Sequence, residues 1–181
     1  MNVSRFGRFS LLLVICVGVL ASVSMIVAQG DTPEPIVPLM SQEDAKAFAA
    51  RFERIFNDGI DGPNLDIVDE LFAEDFVGHL PLAPGLDREG WKAYVASFYE
   101  GTPDLRQTTT DVIVGEDRLV LQVSYTGTQT GTLLGIAPTG IEVIMTGTGV
   151  FTFNNEGLVI ENRADLDVVG VLAQIGAFPT S

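Results

Sequence analysis

One histidine, one cysteine and one tryptophan are all that this 181-residue chain carries of those three residue types. A lone His79 among scattered acids makes a poor zinc site, so no metal is expected. Cys16 lies inside the apolar N-terminal stretch, so the remainder offers no disulfide, thiol nucleophile or cysteine-bound metal. There is no Gly-Lys phosphate loop and no serine in a nucleophile-elbow setting, so nucleotide-dependent and nucleophilic catalysis are excluded on motif grounds. No cofactor is expected. Basic residues are also scarce: 10 Lys and Arg face 24 Asp and Glu, for a net charge of −14. Such a chain is repelled by nucleic acid and by anionic lipid. Its acidity reads first as a solvated face that keeps the protein soluble.

Residues 1–30 hold two bases, Arg5 and Arg8, and then an apolar run from Phe9 to Val27. Ala28-Gln29-Gly30 supplies small residues in the pattern of a cleavage site. Charged, apolar, small is the order of a secretory signal. The apolar run is long for a signal core and close to bilayer length, so an uncleaved membrane anchor is the alternative. Either way the protein is expected to be exported, secreted or held at the cell envelope. Its only expected membrane contact is through that segment. Pro33, Pro35 and Pro38 make residues 31–40 an extended linker.

From residue 41 the chain reads as one α+β domain ending near residue 179. Ser41 is a good N-cap with Asp44 three residues on. Phe48, Phe52, Ile55 and Phe56 recur at helical spacing until Asn57-Asp58-Gly59. A short helix over Leu65–Phe72 and a strand over Phe76–Leu80, closed by Pro81 and Pro84, follow. A third helix runs from about Arg88 to Tyr99, with Trp91, Tyr94, Val95 and Phe98 on one stripe. The period then changes to two. Leu105–Val114, Arg118–Gly127, Ile141–Phe153 and Leu158–Leu166 are predicted strands, rich in Val, Ile, Thr and Tyr. A glycine-rich loop joins the middle pair, and Val168–Ile175 is a short terminal helix. Helices followed by antiparallel strands predict a curved sheet wrapped around N-terminal helices, a cone-shaped α+β barrel with a pocket in its mouth.

With nucleophiles and metals set aside, acid–base chemistry is what remains. Asp165 and Asp167 stand where the last strand gives way to an apolar helix. A carboxylate desolvated by such neighbours rises in pKa and becomes a useful general base. The same Asp167 is also an ordinary helix N-cap. His79 lies in an apolar stretch and is expected to point inward, either as a satisfied core histidine or as a pocket proton donor or acceptor. Asp104 after Pro103 reads as a turn-former and a reserve candidate. Trp91, Tyr94, Tyr125 and Met145 are core candidates from which any cavity would be lined. Parity along the last strand groups Leu158, Ile160, Asn162, Ala164 and Leu166 on one face. Val159, Glu161, Arg163, Asp165 and Asp167 fall on the other, more polar one.

Four groups of residues in one order carry a resemblance. They are His79 after Asp75-Phe76-Val77, then Pro103-Asp104, then Gly127-Thr128-Gln129-Thr130-Gly131 with Pro138-Thr139-Gly140, and finally Asp167-x-x-Gly170-x-Leu172-x-Gln174-Ile175-Gly176. Over roughly residues 41–179 this resembles the SnoaL-like polyketide (ester) cyclases. The resemblance implies the cone fold of ketosteroid isomerase and nuclear transport factor. It also implies cofactor-free ring closure by intramolecular aldol condensation of a small apolar carbonyl substrate. By resemblance Asp167 is the base, with Asp165 in reserve, and His79 and Gln129 lie beside it in the pocket. Gln129 stands where members commonly have His, and Arg163 where they commonly have Trp. The competing expectation is an exported, non-catalytic ligand-binding module of the same fold, open to dimerising through its sheet. Another cone-fold enzyme, an isomerase or epoxide hydrolase, would need further pocket acids.

Overall fold

A computed structural model describes residues 40–59 and 62–178. The signal or anchor over residues 1–30 and the linker up to Leu39 lie outside the described residues. Helix α1 (Gln42–Asn57) starts where Ser41 predicts: the Asp44 N–H donates to the Ser41 hydroxyl at 3.0 Å, and that hydroxyl donates to the Asp44 carboxylate at 2.7 Å. Its apolar face buries Phe48, Phe52, Ile55 and Phe56. Helix α2 (Asp66–Leu71) runs directly into strand β1 (Phe72–Leu80), and a tight turn leads to β2 (Ala83–Leu86). Helix α3 (Arg88–Gly101) is capped by Asp87, which accepts from the Gly90 N–H at 2.7 Å. Then come β3 (Arg106–Val114), β4 (Arg118–Thr128), β5 (Glu142–Phe153), β6 (Val159–Leu166) and helix α4 (Val168–Gln174).

The six strands form one sheet in the order β2-β1-β6-β5-β4-β3. All neighbours are antiparallel except β1 and β6. The sheet is curved and unclosed, a cone with two free edges rather than a sealed barrel. Strand β2 departs from the sequence reading, in which Pro81 and Pro84 close the segment. Proline is tolerated because β2 is an edge strand, where a missing N–H breaks no ladder. The turn into it passes through Leu82 at φ 65°, a left-handed conformation unusual for leucine.

Alternation sets the inside of the cone. Leu119, Leu121, Val123 and Tyr125 of β4, and Val143, Met145 and Phe151 of β5, face the helices. Aromatic rings fill the space: Phe48 and Phe52 meet Phe151, and Phe56 meets Tyr125 and Trp91, in edge-on pairs with centroids 5.1–6.4 Å apart. Each such pair adds about 1 kcal/mol beyond the area it buries.

Candidate functional site

The packing leaves a void inside the cone. Phe52 and Phe56 of α1 and Trp91, Tyr94, Val95 and Phe98 of α3 form one wall. Tyr125 of β4, Met145, Gly149 and Phe151 of β5, and Asn162, Ala164 and Leu166 of β6 form the other. The space open to the centre of a water molecule is about 50 Å³. One water needs roughly 10–15 Å³, so this is a cavity and not a packing flaw. Gly149 helps to keep it open. A Cβ there would come within 3.0 Å of the Phe151 ring and 3.4 Å of the Asn162 amide nitrogen.

Polar groups on the walls are few and neutral. Asn162 is buried; its Oδ1 accepts from Trp91 Nε1 at 3.4 Å, and its Nδ2 donates to the Val150 carbonyl at 3.4 Å. Both contacts are long, which leaves the amide hydrogen-bonding capacity to spare. The Tyr94 hydroxyl donates to the Pro81 carbonyl at 3.2 Å. Burial pushes the Tyr94 phenol up to about 12, and burial, with help from neighbouring tyrosines, raises Tyr125 further. Both phenols therefore stay protonated at ordinary pH. Among the described residues, no carboxylate, histidine, lysine or arginine lines this cavity.

Of the sequence candidates, the cavity collects Trp91, Tyr94, Tyr125 and Met145. His79 does not point inward. In β1 the inner face is Phe76, Gly78 and Leu80, so His79 falls on the outer face with Val77. There its Nε2 lies 3.5 Å from a Glu161 carboxylate oxygen, which Arg163 also engages at 2.6 Å. Local apolar neighbours pointed to the wrong side because strand parity, not average hydropathy, decides which way a side chain points. Asp165 and Asp167 also take the outer parity and border a polar cleft with Gln122, Ser124, Thr146 and Thr148. Asp167 is the N-cap of α4, accepting from the Gly170 N–H at 2.8 Å. A Cβ on Gly170 would lie 2.0 Å from that carboxylate, so the Asp-x-x-Gly spacing is what admits the cap.

Gln129 is wholly buried, but in a loop rather than on the cavity wall. Its Nε2 faces the carbonyls of Gly131, Ile136 and Ala137 at 3.1–3.3 Å, and its Oε1 accepts from the Thr139 hydroxyl at 2.5 Å. It is the knot of the β4–β5 loop. Asp104 holds the start of that loop, accepting from the Thr128 N–H at 2.7 Å and its hydroxyl at 2.8 Å. Partial burial raises the Asp104 pKa, but these two bonds and nearby Arg106 outweigh it and hold the carboxyl below its usual range. Asn162 is the polar wall residue that the sequence reading did not single out. The signal was present: it is the one polar residue in the apolar parity set of the last strand.

These elements, in this order around an inner cavity, invite comparison with known proteins. A family model described as SnoaL-like polyketide cyclase matches residues 43–175. The chain belongs to that family. No curated protein matches it. Among solved structures, it is similar to a SnoaL-like polyketide cyclase from Jannaschia sp. CCS1, with 27% identity and a TM-score of 0.64, over 77% of this chain and 99% of that one. It is similar to IdmH, described as a polyketide cyclase from Streptomyces antibioticus, at 28% identity and TM-score 0.63, over 73% and 98%. TsrD from Streptomyces laurentii, at 22% identity and TM-score 0.67 over 77% and 99%, shares the fold. The family motifs therefore map here onto caps and loop knots: Asp167 and Gly170 start α4, and Gln174 docks it. Gln174 Oε1 accepts from the Ile144 N–H and its Nε2 donates to the Ile144 carbonyl, both at 2.8 Å.

Proposed function

We propose that this chain binds a small apolar, carbonyl-bearing molecule inside the cone, with Asn162 as the polar contact that orients it. The observation that supports this reading is the composition of the cavity wall: aromatic and aliphatic almost throughout, with a buried amide in place of any charged group. A ketone or ester oxygen is a good partner for the Asn162 Nδ2 or a tyrosine hydroxyl, and the rest of the molecule gains from leaving water. Burial favours the ligand by about 0.8 kcal/mol per methylene.

Trp91 is the chain's single tryptophan and lines the cavity, so its fluorescence reports occupancy directly. Titration with small ketones is expected to change Trp91 emission saturably. Asn162→Leu is expected to cut ketone affinity about fivefold, the worth of about 1 kcal/mol, while leaving the affinity for the matching alkane unchanged. A flat Trp91 signal with every ketone, or equal losses for ketone and alkane, would defeat the assignment.

Family membership favours a second reading. In it the bound carbonyl compound undergoes cofactor-free acid–base ring closure, with Asp167 as base. That chemistry requires the Asp167 carboxylate to leave its cap on α4 and reach the cavity past Leu166. Turnover of a poly-β-ketone that disappears in Asp167→Asn, with ligand binding retained, is its expected signature. Export, if the N-terminal segment directs it, suits a binding role better than a biosynthetic one.

A further inference from the structure

A second, smaller void of about 10 Å³ lies beside the first, bounded by Thr102, Leu133, Leu134, Val143 and Val171. The two voids share four wall residues: Phe98, Leu105, Tyr125 and Met145. These side chains form the partition. The partition is unevenly stiff. Tyr125 is a rigid ring packed edge-on against Phe56 at 5.2 Å, and Leu105 is buried. Phe98 is held by an edge-on contact with Tyr94 at 5.2 Å. Met145 is the member with an unbranched chain and three rotatable bonds, the kind of side chain that vacates space at least cost. Beyond it, the second void reaches the surface loop at Leu134, which is 40% exposed and sits at φ 50°.

We infer that Met145 is a specificity-determining partition between the cavity and a small apolar gap beyond it, which its withdrawal would enlarge, and that the ligand is elongated. Its carbonyl head sits by Asn162, and its apolar tail displaces Met145 and runs toward the Leu134 loop. This rests on the reading of the cone cavity as the ligand site and adds the shape of the ligand to it. A compact ligand would need only the first void. A chain-bearing one gains from both, and the limit on its length is then set by how far Met145 can withdraw.

The test is a series of straight-chain 2-alkanones from 2-butanone upward, followed by Trp91 fluorescence. In the unaltered protein, affinity is expected to rise roughly fourfold per methylene and then level off at a definite chain length. In Met145→Ala the levelling point is expected to move to longer chains by about two methylenes, giving roughly fifteenfold tighter binding of the long members. The affinity for 2-butanone should change less than that of the long members, since it touches the Met145 wall but has no tail to pass it. Met145→Val makes the same prediction with a smaller shift and serves if the alanine variant unfolds; thermal melts of both establish that. An unchanged levelling point in both folded variants overturns the inference while leaving the cavity a ligand site. Failure of every 2-alkanone to bind the unaltered protein overturns the ligand-site reading and this inference with it.

Discussion

Asp167 shows how one residue type can satisfy two different sequence readings. An aspartate at a strand–helix junction is suited to being a desolvated base and to being a cap, and the local sequence is the same for both. The hydrogen bond to the Gly170 N–H makes it a cap. Asp167→Ala is therefore expected to lose about 1 kcal/mol in urea unfolding, while Asp167→Asn, which caps equally well, loses little. Asp104 makes a prediction in pH. Its carboxyl lies below the usual range in the folded state, against an ordinary value of 3.8. Its contribution is therefore fully present above that ordinary value and is lost as pH falls through the lower folded one. Urea midpoints between about pH 5 and 2 should fall less steeply in Asp104→Asn than in the unaltered protein. Equal slopes would mean that the Thr128 contacts do not hold the carboxylate in solution.

At the scale of elements, side-chain amides take over pairing that backbone supplies elsewhere. Strand β6 ends at Leu166, and after the Asp167 N–H donates to the Thr146 carbonyl the ladder has no further strand beside β5. Gln174 continues it by pairing both groups of Ile144 with its own amide, which pins α4 to the sheet. Gln174→Ala is expected to speed hydrogen exchange at the Ile144 amide and across α4, while the amides of β4 keep their protection. Gln129 plays the matching role in the β4–β5 loop. Gln129→Leu strands the buried carbonyls it serves and should cost about 3 kcal/mol of global stability, read from the denaturant midpoint. The helices and most strands were legible from periodicity, and α1 starts at the cap that Ser41 advertises. Strand β2 was not, because its proline reads as a breaker until the edge position of the strand is known. The docking roles of Gln129 and Gln174 were not legible either, since their partners are loop or strand backbone that only the fold brings near.

For the whole molecule, charge and size are properties of the chain itself. All 24 acids fall beyond residue 30, and the domain carries no cysteine, so no disulfide within it contributes to its stability. Its thermal unfolding is accordingly expected to be the same with and without reductant; a lower midpoint in reductant would point to an intermolecular bridge through Cys16. The sequence by itself determined the order of the elements apart from β2, the aromatic core and the cone architecture, and its ordered motifs carried the family resemblance, because periodicity, caps, turn residues and motifs are local and survive in one dimension. Parity, which is local too, divided the last strand into a face with Asn162 and a face with the two aspartates, without saying which of them lines a pocket. Tertiary structure alone decided that His79 faces outward to Glu161, that Gln129 ties a loop, and that the cavity holds an amide and, among the described residues, no carboxylate. Those outcomes depend on how strands curve and pair across long stretches of chain. The direction of a side chain relative to a void exists only once both walls of that void are in place.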